Sequence, residues 1–313
     1  MNPSAATTLS KAKRMDYLLL VFLAVLWGSD YSLIRVAVQT IPPTTLTAAC
    51  TIIACLFLYP ILRVKGIKLP RDLRTWGRFL FQSLFSAVIP LIMIAWAEQT
   101  VSAGLATILN STAPIFTFLI NWGITRHEPA TLRKLVGVVA GMGGVALIVG
   151  LDALKGLGQE TLAQLALVIS AAFYAWSAIF GRAFAKFPPL VPAMGTLIAG
   201  LVWLVPLTLV LDKPWTLNPP MEAIAATVVV GIFTTGLGLV IYFRLLASLG
   251  AVGVTSQGYL RVPIGVWVAG VFLDETMPST AWIGLICVVL GVAAMTIPEK
   301  WSLMGRRRVL PAA

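Results

Sequence analysis

Two charged side chains lie deep inside apolar segments of this chain, namely Asp30 and Arg261. Asp30 is about twelve residues into its segment, which at 1.5 Å per helical residue places it roughly 20 Å into an apolar layer about 30 Å thick. A carboxylate there could bind an ammonium group or a proton, and a guanidinium could hold a carboxylate through two hydrogen bonds. A fixed ion pair between the two is the structural alternative. Arg35 lies nearer the end of its segment, where its long side chain can reach the aqueous interface, so it needs no functional explanation.

Aromatic and polar side chains in the same segments are candidates for contacts to a bound molecule. Indole and phenol rings attract cations, and their N–H and O–H groups need partners in an apolar medium. Ordinary packing between helices is the alternative for each of them taken singly. Together with Asp30 and Arg261, the candidate binding residues are Trp27, Tyr31, Ser83, Asn110, Tyr174, Ser177, Gln257 and Tyr259.

Three prolines inside apolar segments predict kinks, namely Pro90, Pro114 and Pro263. Proline has no backbone N–H, and inside a helix it frees the carbonyl group four residues earlier. In lipid that carbonyl needs another donor, so a kink that faces a cavity, or bends as a gate, is the functional interpretation. A purely structural kink is the alternative.

The segments that must position these residues are long, apolar and numerous. Of 313 residues, 58% are hydrophobic and only 11% are charged, less than half the charged share of a typical soluble domain. This composition excludes a soluble, disordered or disulfide-based protein. A membrane span needs about 20 mostly apolar residues. Ten such segments are predicted as helices, at residues 17–38, 44–63, 76–97, 101–124, 133–151, 161–182, 190–211, 222–246, 252–273 and 281–298.

The basic residues predict the orientation of these spans. With ten spans both termini lie on one side, and with cytoplasmic termini 19 of the 23 lysines and arginines fall on the cytoplasmic side. Only Lys155 and Lys213 fall outside, and Arg35 and Arg261 lie within spans. Because cytoplasmic loops carry an excess of basic residues, this asymmetry predicts cytoplasmic termini. It also explains the net charge of +11 without a nucleic-acid partner.

The two halves of the chain resemble one another. A shift of 147 residues aligns Glu128 with Glu275, Gly137 with Gly284 and Gly144 with Gly291, and a shift of 149 aligns Pro114 with Pro263. Each half has five spans, so the second half must be inverted relative to the first. The fold predicted is therefore an all-α polytopic membrane protein, with ten transmembrane helices in two inverted five-helix repeats, an architecture typical of secondary transporters.

The motif Trp27-Gly28-Ser29, with Pro114, Glu128 and the glycines repeated in both halves, resembles the EamA type of the drug/metabolite transporter superfamily. Among its members, the aromatic candidates make the chain similar to YddG-like exporters of aromatic amino acids. The resemblance implies a bacterial inner-membrane protein with a central cavity that works by alternating access. It also implies a division into a cytoplasmic tail at 1–15, repeats at 16–151 and 161–298, and a basic cytoplasmic tail at 299–313.

Export of small amphipathic metabolites, most of all amino acids, is the function this resemblance implies, and export of drugs or organic cations is the alternative. Asp30 is the candidate for proton coupling, and protons and the lipid bilayer are the further partners considered. Nothing in the sequence indicates an enzyme, a cofactor or a metal site, because the one histidine, His127, lies in a basic loop. The glycine-rich fifth and tenth spans are predicted to pack against other helices or in a homodimer.

Overall fold

The computed structural model describes residues 3–101, 106, 109–125, 131–149, 160–264 and 279–296, which form helices and short connections without a β-strand. The helices are α1 (Pro3–Val38), α2 (Pro43–Val64), α3 (Leu73–Ala97), α4 (109–125, with a turn at 111–112), α5 (Leu132–Val149), α6 (Thr161–Gly181), α7 (Leu190–Leu211), α8 (221–249), α9 (251–264) and α10 (Ser279–Thr296). The predicted all-α polytopic fold is confirmed. Helices α2, α6, α7 and α8 begin and end within a few residues of the predicted spans, α1 begins earlier, at Pro3 instead of residue 17, and the predicted span ends at 151, 273 and 298 lie outside the described residues.

Apolar composition and local breakers explain where these helices lie. Helices satisfy their own backbone hydrogen bonds, which an apolar medium requires. Within the described residues, six helices are long and apolar enough to cross a membrane, and Ala113–Thr125 and Trp282–Thr296 are shorter apolar helices. Gly250 separates α8 from α9, since its φ of 77° and ψ of 179° lie outside the helical region. Glycine tolerates this conformation because it has no Cβ.

The helices pack in pairs that relate the two halves by a pseudo-two-fold axis. Helix α2 packs on its counterpart α7, and α5 packs on its counterpart α10. The contact of α1 with α8 is mirrored by that of α6 with α3. Each contact between the two halves therefore recurs when every helix is replaced by its counterpart, as two inverted five-helix repeats require.

Glycines make the crossing of α5 and α10 close. A Cβ added at Gly137 would lie 2.8 Å from the carbonyl oxygen of Gly291, and one at Gly144 would lie 2.6 Å from that of Gly284. The shift of 147 residues takes Gly137 to Gly284 and Gly144 to Gly291, so the two contacts are symmetry-equivalent. The small-residue faces predicted for packing or dimer formation are therefore used within one chain, where glycine lets the backbones approach.

The same internal symmetry extends to helix irregularities. Helix α3 contains a π-helical segment at Leu84–Val88, and α8 contains one at Val230–Leu237, the corresponding place in the second half. Helix α4 is interrupted at 111–112 and α9 at Ser256. The Ser111 hydroxyl donates to the carbonyl oxygen of Gly258 at 2.9 Å, across a separation of 147 residues. The interrupted helices thus cross at equivalent positions, close to the pseudo-two-fold axis.

Side-chain contacts tie the helix ends together on both sides of the bundle. Asp212, at the end of α7, accepts hydrogen bonds from the Thr45 backbone N–H at 2.9 Å, from the Thr45 hydroxyl at 2.7 Å and from the Thr44 hydroxyl. It therefore caps the first turn of α2 from the other repeat. At the opposite end of the bundle, Arg244 of α8 pairs with Asp16 of α1 at 3.2 Å.

The glycine crossing predicts a difference between two neighbouring residues. Gly144→Ala should lower the free energy of unfolding by about 1–3 kcal/mol, because the added methyl group forces α5 away from α10. Gly143→Ala should leave stability unchanged or raise it slightly, since a Cβ there meets no atom within 4 Å. Thermal unfolding of the two purified variants in detergent measures the difference, and equal melting temperatures would contradict the close crossing.

Candidate functional site

A cavity lies between the two repeats, lined by residues of α1 to α4 and α6 to α9. None of the described side chains of α5 and α10 lines the cavity, so the fifth helix of each repeat packs outside the cavity wall. The cavity volume is about 110 Å³. Because one water molecule needs about 10–15 Å³ by this measure, there is room for several waters or a small solute.

Seven of the ten candidate binding residues line this cavity. They are Trp27, Asp30, Asn110, Tyr174, Ser177, Gln257 and Arg261. Four different helices, α1, α4, α6 and α9, supply them, so the fold assembles in one place side chains that are far apart in the chain. The sequence alone indicates how deep each residue lies in its span, but not whether its side chain faces the cavity.

The structure places two other candidates away from the cavity lining. Ser83 is fully buried and donates its hydroxyl to the Leu80 carbonyl oxygen of its own helix at 2.8 Å. Tyr259 is fully buried against Gly141 of α5, and its phenol donates to the Val138 carbonyl oxygen at 3.2 Å. Ser86, one turn after Ser83, lines the cavity instead. The side chain of Tyr31 lies outside the described residues.

Arg261 is held in position on three sides. Its Nε donates to Oε1 of Gln257 at 2.7 Å, and its Nη1 approaches Oδ1 of Asn110 at 3.5 Å. The guanidinium carbon lies 4.9 Å from the centre of the Trp27 ring, within the range of a cation–π contact. The backbone of Arg261 also lies against Gly28, where an added Cβ would come 3.1 Å from its carbonyl oxygen. The arginine is therefore fixed in orientation while half-buried at the cavity wall.

Trp27 connects this arginine to the irregular part of α8. Its Nε1 donates to the Thr234 carbonyl oxygen at 2.8 Å, inside the π-helical segment Val230–Leu237. Its ring lies 5.6 Å from that of Tyr242. A Cβ on Gly238 would come within 2.7 Å of the same Nε1, so glycine makes room for the indole. Tyr242, which was not among the candidate residues, therefore lines the cavity beside Trp27.

Asp30 lines the cavity one turn from Trp27 and one turn from Ile34. Its counterpart in the second repeat is Ser177, which lies on the facing helix α6 and also lines the cavity. Gln82 donates through Nε2 to the Ser177 hydroxyl at 2.8 Å and to its carbonyl oxygen at 3.2 Å. The carboxylate in the first repeat therefore corresponds to a neutral hydroxyl engaged in a polar contact in the second.

The three prolines lie at or after irregularities of their helices. Pro90 is buried in the first turn of Ile89–Ala97, directly after the π-helical segment of α3. Pro114 is in the first turn of Ala113–Ile120, directly after the interruption of α4. Pro263 lies within α9, which restarts after Ser256. Pro114 therefore begins a helical segment, a place where its missing N–H costs no hydrogen bond.

Sequence reasoning missed a second buried carboxylate, Glu98. It follows the last residue of α3, is 2% exposed, and interacts electrostatically with Asp30 and Arg35. Its position at the end of an apolar segment resembles that of an ordinary interfacial residue, so nothing in the sequence marked it. Among the residues that the structure describes, no three His, Cys, Asp or Glu side chains come close enough to hold a metal ion. Glu128 and Glu275 lie outside the described residues.

A mostly apolar cavity with a few polar and charged side chains, between the two repeats of a multi-pass membrane protein, is typical of secondary transporters. The model of the EamA-like transporter family matches residues 14–150 and again residues 161–297. The chain belongs to this family, and it is a membrane transporter.

Relatives and a solved structure agree with this assignment. The inner membrane transporter YedA of Escherichia coli is 24% identical over 278 residues, covering 88% of each chain. A probable terminal-alkyne amino-acid exporter of Streptantibioticus cattleyicolor is 26% identical over 291 residues, covering 92% of this chain and 94% of that protein. A crystal structure at 19% identity superposes with a TM-score of 0.72 over 90% of this chain and 98% of the other, which supports the fold alone.

The contact between Trp27 and α8 can be tested by removing only its donor. Trp27→Phe keeps a ring beside Arg261 but leaves the Thr234 carbonyl oxygen without its partner, so it should lower the free energy of unfolding by about 1–3 kcal/mol. Trp203→Phe, on a half-exposed face of α7, should change it by less than about 0.5 kcal/mol. Thermal unfolding in detergent measures both variants. An equal response would show that Trp27 does not secure the π-helical segment.

Proposed function

We propose that this transporter exports amino acids, including aromatic ones, from the bacterial cytoplasm across the inner membrane at the cavity between its repeats. The observation that carries the proposal is Arg261 at the cavity wall, held by Gln257 and Asn110 above the Trp27 ring. A guanidinium oriented in this way can form two parallel hydrogen bonds with a carboxylate. Its presence in an otherwise apolar wall favours a solute that carries a carboxylate.

Asp30 supports a substrate with a positive group as well. It lines the same cavity as Arg261, so an ammonium group could bind near one side chain while a carboxylate binds near the other. The remaining lining is mostly apolar and can accept a hydrophobic side chain. It includes Ile34, Leu46, Leu91, Ile94, Val230 and Leu239. Charged and apolar side chains in one cavity suit an amphipathic amino acid.

Export of organic cations or drugs is the second candidate, and a specific observation favours it. Asp30 and the neighbouring rings of Trp27 and Tyr242 form a wall that would attract a flat cation through charge and cation–π contacts. Arg261 in the same cavity argues against it, because its positive charge repels a cation. The amino acid function is therefore preferred, and the printed name of the Streptantibioticus relative agrees with it.

Alternating access is the transport mechanism we propose. The two repeats, taken as residues 16–151 and 161–298, would move against one another around the cavity, with both termini in the cytoplasm. The interruptions of α4 and α9 meet where Ser111 contacts Gly258, which supports bending at this point. Pro90, Pro114 and Pro263 flank the irregular segments and are candidate gating residues. Asp30 remains a candidate for proton coupling, and a homodimer remains a prediction from sequence.

Arg261→Gln should abolish recognition of the carboxylate. In proteoliposomes, the wild-type protein should transport phenylalanine and prefer it to phenethylamine, which lacks the carboxyl group. Phenylalanine transport by the variant should fall about 10-fold or more, because a hydrogen bond to a charged group contributes about 1.5–3 kcal/mol and the variant lacks it. The variant should also no longer discriminate between the two compounds. Counterflow of radiolabelled phenylalanine, with each compound as competitor, measures the loss.

The matched control is Arg63→Gln, since Arg63 is an exposed arginine at the end of α2. It should transport phenylalanine at the wild-type rate. Stronger competition by phenethylamine than by phenylalanine in the wild-type protein would favour the organic-cation function. Loss of transport in both arginine variants would remove Arg261 from its assigned role.

A further inference from the structure

Glu98 is a buried acid just beyond the apolar span Leu73–Ala97. Its backbone N–H still donates to the Ile94 carbonyl oxygen at 2.9 Å, which fixes the residue on the last turn of α3. The side chain is 2% exposed, and neither carboxylate oxygen has a hydrogen-bond partner among the residues that the structure describes. Ionised carboxylates buried without partners are strongly disfavoured, so this arrangement favours the protonated acid.

The surrounding charges favour protonation too. Helix α1 faces Glu98 with Asp30, whose charge repels a second carboxylate, and with Arg35, which attracts it. Helix α2 has one charged residue, Arg63, at its opposite end, and neither α6 nor the segment 99–110 has any. The end of α3 adds the partial negative charge of its carbonyl groups. Burial, and then Asp30, raise the pKa of Glu98 from 4.5 to about 9, and Arg35 opposes the shift only in part.

Glu98 lies directly behind the cavity wall. Ile94 and Ala95, in the preceding turn of α3, both line the cavity, and so does Asp30. The residue lies at the end of the bundle opposite the start of α1, where the cavity would have to open to release a solute to the outside. An opening there would expose the carboxyl group to water, where its pKa would return toward the ordinary value.

We infer that Glu98 is a proton-binding site of the transporter, occupied while the end of α3 is closed and vacated when that end opens. The proton comes from water and returns to water at this end, and no other group is consumed. The two carboxylates then have two roles: Glu98 binds a proton, and Asp30 lines the cavity in which the ammonium group of a substrate would bind. The second role rests on the proposed function, whereas proton binding by Glu98 does not.

Proton binding is tested first without any substrate. At pH 7 the infrared spectrum of the reconstituted wild-type protein should contain a protonated carboxyl band that disappears only as the pH rises toward about 9. Glu98→Gln should lack this band, and the control Glu222→Gln, which removes an exposed acid at the start of α8, should retain it. Glu98→Asp should shift the band. A band of unchanged intensity in Glu98→Gln, or no band in the wild type, would overturn the inference.

Stability against pH gives a second readout that also needs no substrate. Because the pKa of Glu98 is higher in the folded protein, the folded state binds the proton more tightly than the unfolded state between pH 4.5 and about 9. Stability from this group is complete below about pH 4.5 and falls as the pH rises through this window. The difference in melting temperature, wild type minus Glu98→Gln, should therefore decrease as the pH is raised from 4.5 to about 9. A difference that does not change with pH would overturn the inference.

Transport measurements then test coupling. Exchange of phenylalanine by the wild type should change with external pH, whereas Glu98→Gln should transport at a rate that external pH leaves unchanged. A pH dependence identical in both proteins would remove Glu98 from the cycle. If no amino acid is transported at all, the proposed function fails, and the infrared and stability results still decide whether Glu98 binds a proton.

Discussion

In an apolar medium, a backbone carbonyl group without a hydrogen-bond donor is costly, and this structure supplies such donors from side chains of neighbouring helices. Around the cavity, side chains of one helix donate to carbonyl oxygens of another. Two of these bonds lie at irregular segments, since Thr234 is in the π-helical part of α8 and Ser111 is in the interruption of α4. The inter-helix pairs are Trp27 with Thr234, Ser111 with Gly258, Cys50 with Thr227, Gln82 with Ser177 and Tyr259 with Val138. Because water cannot substitute for these donors in lipid, they fix the helices around the cavity.

The backbone of the two repeats is more symmetric than their chemistry. Helix pairings, π-helical segments and glycine crossings recur under one shift, but the side chains at the cavity do not. Asp30 corresponds to Ser177 and Trp27 to Tyr174, and no arginine in the first repeat corresponds to Arg261. A symmetric scaffold therefore carries a polarised site, with its deep charged groups contributed by α1 and α9. This separation lets one architecture serve different solutes, because a few wall residues decide which charges are accepted.

Most of the fold follows from the sequence because apolar length and the repeat pattern determine it. The site was predictable only in part, since depth along a span does not give the face that a residue occupies. A π-helical segment begins one residue after Ser83, and Ser86 within that segment faces the cavity. The interruption at Ser256 similarly resets α9, so Gln257 and Arg261 face the cavity while Tyr259 packs on α5. Glu98 was missed because its burial comes from tertiary packing at a helix end.

The crossing of α5 and α10 has a consequence for the electrical insulation of the membrane. Where an added Cβ would lie less than 3 Å from the facing carbonyl oxygen, there is no space for a chain of water molecules between the helices. Rocking of the repeats about such a seam would not open a route for ions along it. This side of the bundle therefore stays closed to ions, and any leak would have to pass through the cavity.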